Sequence, residues 1–181
     1  MSDELLDLIG NWTEALGATI GGVASTKQLA GQTTSGLQLG VLGNTVQGLG
    51  NVLQAIANRD DNGVELGNWL QAAGNSGNAA AEFQILHNLD EGEDTALLDV
   101  VGNSLQSLGS MLASIGRLEE HPKLVYGNII QSIGAALQGI GGVATMRSEE
   151  ERGEQLKTIG AWLQSIGTIY QAIGATRQYL S

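Results

Sequence analysis

The chain has no cysteine, one proline, and eight lysines and arginines against nineteen aspartates and glutamates in 181 residues. Without cysteine there is neither a disulfide framework nor a thiolate metal site. A net charge of −11 with no basic cluster argues against nucleic acid as a partner, because phosphate contacts need Lys and Arg. The opening Met1-Ser2-Asp3-Glu4-Leu5-Leu6-Asp7 lacks the basic and apolar regions of a signal peptide, so a cytoplasmic location is expected. No segment approaches a run of about 20 predominantly apolar residues, which disfavours membrane spanning without excluding membrane association. Charge is also scarce where it would normally sit. The windows 10–24, 36–50, 67–81, 102–116, 127–141 and 160–174 contain one charged residue, Glu14, where average composition would place about 22.

Glycine is what the chain has in excess, 27 residues in all, and sixteen of them fall in runs with a period of seven. The runs are Gly10, Gly17, Ala24; Gly36, Gly43, Gly50, Ala57; Gly67, Gly74, Ala81; Gly102, Gly109, Gly116; Gly127, Gly134, Gly141; and Gly160, Gly167, Gly174. With these as heptad position a, position d is Leu53, Leu70, Leu105, Ile130 and Leu163, and position g is Leu16, Leu49, Ile56, Leu108, Ile133 and Ile166. Position c includes Trp12, Trp69, Met111 and Trp162. At 100° per residue c, g, d and a form one apolar arc, which predicts helix, since adjacent apolar c and d residues break strand alternation. Glycine in a helix costs about 0.8–1 kcal/mol relative to alanine. Its repeated use makes sense if the missing side chains let backbones approach closely, as in a glycine zipper with shallow, near-antiparallel crossings.

The first glycines of successive runs (taking Gly43 for the second) recur at long-short alternating intervals, giving a repeat of about 58 residues with two helices each. The expected fold is all-α: six helices at about 3–24, 30–58, 63–84, 93–117, 122–145 and 149–179, forming three tandem helical hairpins. They are expected to make one domain over 1–181, with repeats near 1–57, 58–117 and 118–181. Ser148-Glu149-Glu150-Glu151 fits a capping box, and Pro122 suits the first turn of the fifth helix.

No catalytic constellation stands out, and neither a catalytic residue nor a cofactor or metal is expected. His87 and His121 read as helix-end residues. The acidic groups Asp90, Glu91, Glu93, Asp94 and Asp60, Asp61, Glu65 read as solvated helix ends, lacking the ligand order of a calcium loop. The three tryptophans read as core filling beside the glycines, with an interfacial aromatic role as the alternative. Opposite the apolar arc, position e is mostly glutamine: Gln47, Gln54, Gln71, Gln106, Gln131, Gln138, Gln164 and Gln171. This uncharged face is the candidate interaction surface, through which a non-enzymatic structural protein would bind further copies of itself. The alternative is a membrane-associated or pore-forming bundle, with residues 124–146 as its strongest span. On the same reading, Gly134→Leu disrupts packing far more than Gln131→Ala.

The phrase Gly-Asn-x-Leu-Gln-Ser-Leu-Gly at Gly102–Gly109, nearly repeated at Gly127–Gly134 and Gly160–Gly167, resembles an uncharacterised family of repetitive, Gly-rich proteins from Bacillus-type bacteria. The resemblance covers most of the chain and implies no activity, cofactor or functional residue.

Overall fold

The computed structural model describes residues 2–89, 92–119 and 122–181. It consists of six α-helices: α1 (Asp3–Leu29), α2 (Thr33–Ala57), α3 (Asn62–Leu86), α4 (Glu93–Gly116), α5 (Pro122–Met146) and α6 (Glu150–Tyr179). No strand occurs among the described residues. Local chemistry sets several boundaries. Ser2 Oγ accepts from the Leu5 amide at 3.3 Å, Asp61 accepts from the Gly63 and Val64 amides, and Pro122 opens α5. The turns after α1, α3 and α5 close alike: Gln32, Leu89 and Glu149 each donate to a carbonyl five residues back. Each follows a left-handed residue, Gly31, Asn88 or Ser148. This conformation commits Ser148 to closing α5, so the expected capping box does not form. Glu149 precedes α6 and makes no side-chain cap bond.

Each helix packs against two others. The neighbours are α1–α2, α2–α3, α3–α4, α4–α5, α5–α6 and finally α1–α6, so the helices form a closed ring of alternating direction. Hydroxyl pairs bridge the closure, Thr19 to Ser165 at 3.0 Å and Ser25 to Thr158 at 3.1 Å. We call the end that holds Ser2 and Tyr179 the terminal end, and the end that holds Leu29 and Met146 the far end.

Within α1–α2, α3–α4 and α5–α6 the glycines lie on the partner backbone. A Cβ added to Gly10 would sit 2.9 Å from the Gly50 carbonyl oxygen; one on Gly134 would sit 2.6 Å from that of Gly160. Several of these glycines also make room for a glutamine stem. Added Cβ atoms at Gly10, Gly17, Gly74, Gly109, Gly134 and Gly160 would lie 2.8–2.9 Å from Cγ of Gln54, Gln47, Gln106, Gln71, Gln164 and Gln138. The absent Cβ therefore serves two contacts, backbone against backbone and a long amide side chain crossing between helices.

Here the structure reverses an expectation. Among the described residues, every buried apolar side chain apart from Leu37, Val64 and Leu124 is alanine. The g-position residues Leu16, Leu49, Ile56, Leu108, Ile133 and Ile166 are all exposed, as are Trp12, Trp69, Met111 and Trp162 at c. The d residues are half-buried between neighbours. The interior instead takes Gln, Asn, Ser and Thr. On a helical wheel the glycine column marks the border between the apolar and amide arcs. Placing that border against a neighbour leaves two choices for which arc faces the axis, and the amide arc faces it.

Candidate functional site: a polar axis

Glu14, 1% exposed, lies near the middle of α1. Gln54 of α2 donates to its Oε2 at 2.6 Å, and Gln131 of α5 donates to its Oε1. Gln171 of α6 in turn donates to Gln131 Oε1 at 2.6 Å. Since α1 and α5 are not neighbours, this chain crosses the ring. A buried carboxyl is costly unless hydrogen-bonded, and two amide donors supply that compensation. Further layers continue the pattern. Ser110 donates to Gln71 at 2.9 Å, Asn75 to Asn51 at 2.8 Å, and Asn78 to Asn103 at 3.0 Å.

At the terminal end of α4, the buried Arg117 donates to Asp7 at 2.9 Å across the ring. Asp7 also accepts from Asn58 at 2.6 Å and from Asn11 at 3.1 Å. A pocket of about 130 Å³ lies beyond, lined among others by Asp3, Glu4 and Tyr179.

Toward the far end the axis widens into a chamber of about 330 Å³, to which all six helices contribute. Its inner part is lined by Gln47, Asn78, Gln106 and Gln164, and its outer part reaches Thr33 and Gly92. Glu82 of α3 accepts from Asn44 at 3.0 Å and from Gln28 at 3.4 Å. Opposite it, Lys157 of α6 pairs with Asp99 of α4 at 3.2 Å and lies 3.8 Å from Glu154.

The glutamines singled out from the sequence are therefore brought together, but in the interior. Gln47, Gln54, Gln71, Gln106, Gln131, Gln164 and Gln171 are buried and Gln138 is half-buried. They line the axis and its chamber rather than an outer face, so they do not form the expected surface for binding further copies of the chain. The tryptophans are corrected in the opposite sense. Trp12, Trp69 and Trp162 are 47%, 43% and 40% exposed, and Trp12 and Trp162 donate to Thr176 and Thr26 at 3.0 Å across the α1–α6 seam.

His87 is exposed against Phe83, with ring centroids 4.1 Å apart. Glu93 and Asp94 are exposed in the first turn of α4, while Asp61 caps α3. Asp90, Glu91, Glu120 and His121 lie outside the described residues. Sequence reasoning passed over Asp7, Glu82, Asp99, Arg117 and Lys157. Their one shared signal is that charge occurs within two turns or so of a helix end, and Glu14 alone breaks that rule.

A model of a family of unknown function, DUF6944, matches residues 5–177. The chain belongs to that family. No curated protein and no solved structure matches it. Family membership assigns no chemistry, so the reading of the polar axis rests on the geometry described above.

Proposed function

We propose that this protein is a non-enzymatic, membrane-embedded six-helix bundle, held by glycine-zipper contacts, whose polar axis forms a chamber for a small polar solute. The observation that carries this reading is the character of the outer surface. Across residues 9–26, 37–57, 66–83, 97–115, 126–146 and 158–176, no exposed residue is charged. The exposed polar ones are Thr26, Gln38, Thr45, Ser76 and Ser104. Four of these hydroxyls donate to the carbonyl four residues back, at 2.7–2.9 Å, as a helix in contact with lipid requires. On α5 the apolar belt runs from Tyr126 to Met146, about 30 Å at 1.5 Å per residue, close to the hydrocarbon thickness of a bilayer. Exposed aromatics Trp69, Phe83, Tyr126 and Tyr179 lie within about two turns of a helix end, near the level of the two membrane interfaces.

Among the described residues only α5 passes a simple test of length and composition for a spanning helix, with mean hydropathy 1.3. The other five fall short because their axis-facing Gln, Asn and Ser lower the average. Those residues meet one another rather than lipid. A soluble bundle of this size would show charge on its outer faces.

The test is partition. The expressed protein is expected to remain with membranes through alkaline carbonate, to need detergent for extraction, and to float with phosphatidylcholine vesicles. A monodisperse detergent-free species that stays at the bottom of the gradient would sink the proposal.

A further inference from the structure

We propose that the far-end chamber binds a short aliphatic amine in its ammonium form, with Glu82 as counter-ion. Among the described residues three carboxyl groups, Glu82, Asp99 and Glu154, line the chamber against one cation, Lys157. The walls contributed by α1, α2 and α5 hold no charged residue. Burial, and then the nearby Asp99, push the Glu82 carboxyl up to about 8, so it holds its proton until a cation sits beside it, and an ammonium there favours the ionised form.

Lys157 shows what the chamber accommodates. Its stem runs beside Gly141 and Gly142, with no side chain on either to obstruct it, and its ammonium rests on Asp99 and Glu154. This is a tethered butylammonium. Among the described residues Glu82, in contrast, accepts only from the neutral amides of Asn44 and Gln28 and has no ion-pair partner within 4 Å.

A second observation concerns the amides. Gln47, Gln106 and Gln164 line the chamber, are 5%, 1% and 2% exposed, and each has a side-chain oxygen with no hydrogen-bond partner. Buried polar atoms are normally paired, and all three of these are acceptors. The complement they lack is a set of N–H donors, which an ammonium brings. A bare metal ion fits less well. Among the described residues no three His, Cys, Asp or Glu side chains converge on one point. The chamber of about 330 Å³ is also roughly ten times the volume of a water molecule.

The experiment is calorimetric titration of the full chain in detergent with n-butylammonium chloride, with 1-butanol and potassium chloride as controls. Saturable binding is expected for the amine alone. Glu82→Gln should weaken it about ten- to hundredfold, the loss of one charge-assisted contact. Glu82→Asp should retain most of it. Lys157→Ala, which removes the tethered ammonium, should tighten binding and keeps the test open if the Glu82 variants fail to fold. Absence of saturable heat, an equal response to potassium chloride or butanol, wild-type binding by a folded Glu82→Gln, or, where the Glu82 variants do not fold, unchanged binding in Lys157→Ala would overturn the proposal. The chamber needs no bilayer around it. A failed flotation with successful titration would therefore discard the membrane reading alone.

Discussion

Gly134→Leu is expected to abolish the folded bundle. A Cβ at this position would lie 2.6 Å from the Gly160 carbonyl oxygen and 2.7 Å from the Gln164 amide nitrogen, both backbone atoms of α6. Neither can move without shifting the whole helix. Overpacking a tight core by a methyl group or two costs about 1–3 kcal/mol, so Gly134→Ala already removes a sizeable part of a net stability of roughly 5–15 kcal/mol. Leucine adds three further carbons in the same direction. Gly21→Ala provides the contrast. Its Cβ would meet only Gln47 Nε2 at 3.6 Å, an ordinary contact, so the gain in helix propensity, up to about 1 kcal/mol, should prevail. Thermal unfolding followed by circular dichroism in detergent reads the series. Equal small shifts for Gly134→Ala and Gly21→Ala would refute the close-contact account. Gln131→Ala does not belong among the mild variants, as the sequence alone led us to expect. Gln131 donates to Glu14 and accepts from Gln171, so its removal leaves two buried groups short of a partner, at about 1–3 kcal/mol each.

Ile133→Lys should abolish stable membrane integration. Ile133 is 51% exposed and lies one residue from the midpoint of α5. On a protein surface facing water, such a change is normally worth no more than about 0.5 kcal/mol either way. At the centre of a bilayer a lysine costs about 2.5–3.5 kcal/mol. The fraction of protein that resists alkaline carbonate should therefore fall sharply for Ile133→Lys but stay unchanged for Glu93→Lys, placed at an exposed helix end. A variant that becomes a well-folded, detergent-free monomer would contradict a lipid-facing belt.

Much of this fold was legible in the chain. The heptad glycines located six helices to within a few residues, and Pro122 and Asp61 marked two starts. The largest boundary error was α1, expected to end near residue 24, which continues to Leu29 because the turn closes on Gly31. What the period could not convey was orientation. A wheel with glycine on the border between two arcs is equally compatible with leucine inside or glutamine inside, and the usual prior favours leucine. The charge distribution held the missing information. Outer faces without Lys or Glu do not suit water, and Glu14, isolated amid neutral residues, had to sit where amides could pair with it. The chamber was not legible at all. Glu82 and Asp99 lie on the consecutive helices α3 and α4, but Lys157 comes from α6, and only ring closure brings it to their cavity.

The central claim is that the apolar arc faces lipid and the amide arc faces the axis. The three native tryptophans, all on the exposed c position, test it without a label. In vesicles whose acyl chains carry bromine, the intrinsic fluorescence of the reconstituted chain should be strongly quenched, while aqueous iodide should have little effect. Fluorescence indifferent to brominated lipid and readily quenched by iodide would place Trp12, Trp69 and Trp162 in water and contradict the account.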